Sequence, residues 1–152
     1  MNKTQKYSKI FSRHTDIGAY LILVVDGHEM GLFTDNLMAF LAVPMALRQL
    51  AGQVETLELI LSHGIDRPEL HTILRLDDLR HIAWPESHQW AVTAAGMEQT
   101  FERDYDAYYA WARTVTDFAH MRLTGTRIDL TADGHELLHV DCQYQDQGGR
   151  AD

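Results

Sequence analysis

The tetrapeptide Asp26-Gly27-His28-Glu29 recurs as Asp133-Gly134-His135-Glu136, and each copy separates two strand-like runs. The first joins AYLILVV to HEMGLF, and the second joins RIDLTA to HELLHVD. A two-residue turn that matches the twist of paired strands needs positive φ at both central residues, and Asp-Gly supplies this cheaply. Each copy therefore predicts a hairpin, one near either end of the chain. Little else in the two segments matches. The echo reads as shared turn chemistry rather than as a duplicated ligand loop.

Between the hairpins, Thr34 or Asp35 is placed to cap a helix over Asn36 to Gln49, with Gly52 as its stop. Pro44 should kink that helix or split it, opening the second piece. Val54 to Leu61 reads as a strand with Leu57, Leu59 and Leu61 on one side and Val54 and Ile60 on the other. So short a run also suits a helix. After the turn-rich stretch Ser62 to Glu69, Leu70 to Leu76 pairs back as a strand, in competition with an Asp66–Glu69 capping box opening a helix. His81 to Trp84 and Gln89 to Thr93 flank Pro85 to His88 as a further hairpin candidate. Met97, Phe101, Tyr105, Tyr108, Ala112, Val115 and Ala119 recur at spacings of four and three. That stripe predicts one helix over Met97 to Arg122, ended by Gly125 and widened by Trp111 and Phe118.

These elements give an α+β fold: a mainly antiparallel β-sheet built from hairpins, with two helices (about 35–50 and 97–122) packed on one face. The other face then needs polar residues, a second subunit or a partner. At 152 residues the chain suits one domain, set over 16–143 between a basic arm (1–15) and a polar tail (144–152).

Cys142 is the lone cysteine, so no intramolecular disulfide forms. The basic N-terminal stretch lacks the apolar run of a secretory signal, and the longest apolar runs are too short to span a membrane. A cytoplasmic location is expected. The formal charge is −9, unevenly placed: Lys3, Lys6, Lys9 and Arg13 lie in the first fifteen residues, which hold no acid. The other nine basic residues face 22 acidic ones, leaving −13 on the body. That body repels nucleic-acid phosphates, whereas the arm, unless it is only a solvated terminus, attracts them.

His135, His139 and Asp141 would share one face of a regular strand, and His28 sits at the first hairpin's turn. Together they form a candidate metal set, since catalytic zinc takes three protein ligands and an open position. Asp117 and His120, three apart on the long helix, form a weaker acid–base candidate. Cys142 lacks the basic surroundings that activate a thiol. Phosphate-loop, dinucleotide, zinc-protease and nucleophile-elbow fingerprints are absent. No cofactor is implied. Tyr109 and Trp111 lie off the main stripe and, with Glu102, Asp104 and Asp106, form a candidate contact surface. The composition thus favours a non-catalytic acidic interaction module of inhibitor, immunity or accessory type. It would dock on a protein with a basic surface, in competition with nucleic acid where that surface binds it; a homo-oligomer is compatible. The alternative is a small metal-assisted hydrolase using His28, His135, His139 and Asp141.

Overall fold

Both Asp-Gly pairs form tight two-residue turns in a computed structural model, which describes residues 20–62, 70–120 and 126–142 (backbone alone at 118–120 and 141–142). The φ values are 50° and 81° at Asp26 and Gly27, and 52° and 80° at Asp133 and Gly134. A third such turn, Ala95-Gly96 at 53° and 78°, joins a hairpin that the spacing argument misses.

The elements run β1 (Tyr20–Val25), β2 (His28–Phe33), α1 (Asn36–Leu50), β3 (Leu57–Ser62), β4 (Leu70–Leu76), a short 3-10 turn (Leu79–His81), β5 (Trp90–Ala94), β6 (Met97–Phe101), α2 (Asp104–His120), β7 (Thr126–Ala132) and β8 (His135–Cys142). The class is α+β with hairpin-built antiparallel sheets, as expected. The strands form two four-stranded sheets, however, ordered β2-β1-β3-β4 and β6-β5-β7-β8. The same order appears twice: hairpin, helix, hairpin, with the first strand of one hairpin paired to the first strand of the other. Two compact units result. Among the described residues, one comprises Tyr20–Ala42 with Leu50–Ile82, and the other Val43–Gln49 with those from Ala83 onward.

In the first unit, β1 is buried on both faces. Leu21, Leu23 and Val25 lie opposite Leu61, Leu59 and Leu57, while Tyr20, Ile22 and Val24 cluster with Ile60, Leu32 and Leu70. Asp35 caps α1 by accepting the Leu37 N–H at 3.0 Å. Pro44 lies inside α1 without splitting it. Its ring sits on the stripe of Ala39, Phe40, Val43 and Leu47, all of them buried. Gly52 ends the helical segment at φ 85°, its N–H donated to Leu79 O. Leu57–Ser62 and Leu70–Leu76 are strands, so the helical alternatives for both fall away; the turn-rich Ser62–Glu69 stretch lies almost wholly outside the described residues.

Each Asp-Gly aspartate also ties its turn to the chain entering a neighbouring strand. Asp26 Oδ1 accepts the N–H groups of Glu55 and Thr56, both at 2.9 Å, ahead of β3. Asp133 donates its N–H to Gln89 O at 2.8 Å and accepts the Ser87 hydroxyl at 2.8 Å, ahead of β5. The two turns hold different places in the repeated order, because β1–β2 corresponds to β5–β6. Their likeness is one of turn chemistry and anchoring.

In the second unit α2 packs across all four strands. Tyr108, Trp111, Ala112 and Val115 are buried, as are Trp90, Val92, Ile128, Leu130 and Leu138 on the strands. The expected helix start at Met97 is corrected: Met97–Phe101 is strand β6, and the helix begins at Asp104. The spacing of Met97, Phe101 and Tyr105 suits a helix, yet Gly96 at positive φ reverses the chain there and pairs Met97 with Ala94. The hairpin expected around Pro85 to His88 is corrected too, since β5 pairs with β6 and β7 instead.

Three of the four outer strands carry one surplus residue: Met30 in β2, Ile73 in β4 and Leu137 in β8. Only β6 pairs with its neighbour in unbroken register.

Candidate interaction surface and polar clusters

Glu102, Asp104 and Asp106 arrive where β6 turns into α2, and acids belong there because the helix N-terminus carries partial positive charge. Glu102 and Asp106 are exposed. Asp104 is turned inward instead. Its Oδ2 pairs with Arg48 Nε at 3.1 Å and its Oδ1 accepts the Tyr105 N–H at 2.8 Å. The Arg48 guanidinium also lies 5.3 Å from the Tyr105 ring centre and donates to its hydroxyl at 3.2 Å. Asp104 thus fastens Arg48 to the start of α2, its own side chain partly exposed.

Trp111 is corrected from partner contact to core. It is fully buried, and its indole N–H points at Ile128 O at 3.4 Å. Tyr109 is 45% exposed and accepts a hydrogen bond from Arg113 at 3.4 Å. Tyr109 and Asp117, four residues along at 3.5 Å, hold the Arg113 guanidinium more firmly charged than usual. A groove runs between β6 and α2, lined by Gln99, Phe101, Asp106, Tyr109, Ala110 and Arg113. Of the candidate contact residues, Asp106 and Tyr109 line this groove, while Glu102 is exposed and lines a second open cleft with Glu98 and Thr100; Met97 is 73% exposed.

Beneath Tyr105 lies an aromatic cluster. Tyr108 stacks edge-on to Trp90 with ring centres 5.4 Å apart, and Trp84 lies 6.0 Å from Tyr108. Trp84 donates its indole N–H to the Tyr108 hydroxyl at 2.8 Å. Burial, above all, pushes the Tyr108 hydroxyl up to about 12.

The histidine candidates are not brought together as expected. Directly opposite residues in a strand pair share a face. Ala132 lies opposite His135, whereas Asp129 lies opposite His139 and Arg127 opposite Asp141. The surplus Leu137 breaks the alternation, so His135 falls on the face of Ala132 and His139 on the other. His28 belongs to the first unit. The group that does converge is Asp129, Glu136 and His139, whose ligand atoms lie within 4.8 Å of one another. Arg127 already serves it as cation. Its Nε meets Asp129 at 2.7 Å, its Nη2 meets Glu136, and Glu136 meets His139 Nδ1 at 2.7 Å. A metal ion would have to displace a guanidinium bonded to two of the three ligands.

Sequence reasoning misses Asp129, Glu136 and Arg48. The one available signal is the apolar doublet Leu137-Leu138 inside an alternating strand, which marks the surplus residue. The Asp117–His120 candidate and the Cys142 thiol involve side chains outside the described set. Among the described residues no helix is long and apolar enough to cross a membrane. Comparison with protein-family models, curated proteins and solved structures finds no match to this chain.

Proposed function

We propose that this protein is a non-catalytic interaction module that docks its acidic surface on a basic patch of a partner protein. The observation that carries the reading is the groove between β6 and α2. Acidic Asp106 lines it, Tyr109 and Phe101 wall it, and exposed Glu102 lies next in the chain after Phe101. Aromatic side chains beside exposed carboxylates suit a contact that is steered by charge and then held by buried ring area. The formal −9 of the chain works in the same direction, drawing a basic partner and repelling phosphate. Where the partner's basic patch serves nucleic acid, the module competes for it.

The test is affinity capture from the native host with the unmodified chain and with a Glu102→Lys/Asp106→Lys variant, at about 0.05 M and about 0.5 M salt, on either side of ordinary screening. One partner should be retained by the unmodified chain at low salt, and lost both at high salt and on charge reversal. Association should slow far more than dissociation quickens. Retention indifferent to both changes, or a captured surface that is itself acidic, overturns the reading.

A further inference from the structure

Strand β6 differs from the other three outer strands in having no surplus residue. Natural sheets blunt exposed edges with bulges, and β2, β4 and β8 are blunted that way. β6 presents a straight edge instead. Among the described residues it pairs with β5 alone, and Met97 to Thr100 are exposed.

The backbone chemistry of that edge follows from the turn. Ala95-Gly96 is a two-residue turn, so its closing pair Ala94–Met97 exchanges hydrogen bonds across the hairpin. Pairs then alternate. Met97, Gln99 and Phe101 direct their N–H and C=O groups inward to β5, while Glu98 and Thr100 direct theirs to the open side. The edge therefore offers two donors and two acceptors at strand spacing.

Side chains define what would fit. Glu98 and Thr100 lie on the face away from α2, opposite Thr93 and Ala91, whereas Met97, Gln99 and Phe101 lie on the helix side, opposite Ala94, Val92 and Trp90. A strand laid against β6 would place alternate side chains beside Glu98 and Thr100, and the others over the groove walled by Phe101, Tyr109 and Ala110. Glu98 and nearby Glu102 favour a cation on the first set. The groove favours an apolar side chain on the second.

We propose that β6 receives an extended segment of a partner protein as a fifth strand, with basic and apolar side chains alternating along it. This rests on the docking reading above and adds its mode: main-chain pairing supplies the hold and alternate side chains the selectivity. A second copy of this chain is the poorer occupant, because pairing would bring two acidic bodies together.

The probe is a fluorescein-labelled short peptide in which lysine and valine alternate, followed by anisotropy with the full chain. Its controls are a peptide of the same composition with the lysines grouped, and the alternating peptide N-methylated at every second amide. The alternating peptide should bind roughly tenfold or more tighter than the grouped one, with N-methylation at the edge-facing register losing a similar factor. Thr100→Pro removes a donor aimed at the open side and leaves the β5 pairing intact, so it should abolish binding, whereas Thr100→Val should keep it. If Thr100→Pro does not fold by circular dichroism, the N-methylated peptide decides. Equal binding of all three peptides, lost on Glu98→Lys/Glu102→Lys/Asp106→Lys, overturns strand addition while sparing acidic docking. Alternation-dependent binding untouched by that triple variant supports strand addition and overturns docking by charge. No binding of the alternating peptide overturns strand addition, and so does self-association that Thr100→Pro abolishes, since the occupant is then a second copy.

Discussion

Trp84 donates its indole N–H to the hydroxyl of Tyr108 at 2.8 Å, and that hydroxyl lies 3.5 Å from Asp104 Oδ2. One phenol thus accepts from a tryptophan and faces a carboxylate that Arg48 holds in place. Its proton is held until about 12, against an ordinary 10.0. A raised folded value means that the neutral phenol is the stabilised form. The contribution is complete below about pH 10 in the unfolded chain's range, and is lost as pH rises toward the folded value. Ultraviolet titration should show a late-titrating tyrosine that is missing in Tyr108→Phe. That variant also strands the Trp84 N–H and should cost about 1–3 kcal/mol in urea denaturation.

Asp26 provides the opposite pH limb. The N–H groups of Thr56 and then Glu55 lower its carboxyl below the ordinary 3.8. A lowered folded value contributes stability above the unfolded value, lost as pH falls through the folded one. Asp26→Asn keeps the turn and an acceptor oxygen but removes the titration. Urea midpoints followed from about pH 6 to about pH 2 should fall less steeply in the variant, because this proton-linked contribution is gone. Parallel acid limbs would show that the two N–H bonds do not act on the charge.

Trp111 and Tyr109 separate core from surface on one helix. Trp111→Ala empties a fully buried site and should cost about 3–5 kcal/mol. Tyr109→Ala should stay within about 0.5 kcal/mol, the ordinary surface range, and show its effect in partner capture. A reversed order in thermal melts would return Trp111 to the contact surface.

Ala95 holds φ 53° without the side-chain oxygen that eases this conformation in Asp26 and Asp133. Left-handed backbone costs an alanine about 1–2 kcal/mol, and Asn-Gly is the favoured pair for such a turn. Ala95→Asn should therefore raise stability by a sizeable part of that cost, read as a higher denaturant midpoint at unchanged slope. A loss would mean that this turn leaves the type its φ values describe.

Turn chemistry made both end hairpins legible, and the Asp35 cap with Gly52 bounded α1 nearly to the residue. The middle hairpin escaped because Ala95-Gly96 lacks the Asp or Asn that advertises such turns, while Met97 and Phe101 fit a helical stripe equally well. Exposure of Asp106 and Tyr109 follows from helix periodicity once the helix is known, whereas Glu102 lies in the bend before it. The inward turn of Asp104 depends on Arg48, 56 residues away in the chain, and no local pattern reports it. The histidine grouping failed for a different reason: alternation assumes regular pairing, and Leu137 interrupts it.

The surplus residues at Met30, Ile73 and Leu137 also bear on how this chain tolerates changes in length. Deleting one residue from a regular strand inverts every side chain beyond it. Deleting a bulge residue leaves each remaining side chain on its present face and merely makes the pairing regular. These three positions are therefore where the sheets accept a shortened chain without exchanging core for solvent. The consequence is colloidal rather than structural, since each deletion turns a blunted edge into a straight one like β6, and once added salt screens the acidic bodies from one another the shortened protein should associate at concentrations where the parent stays dispersed.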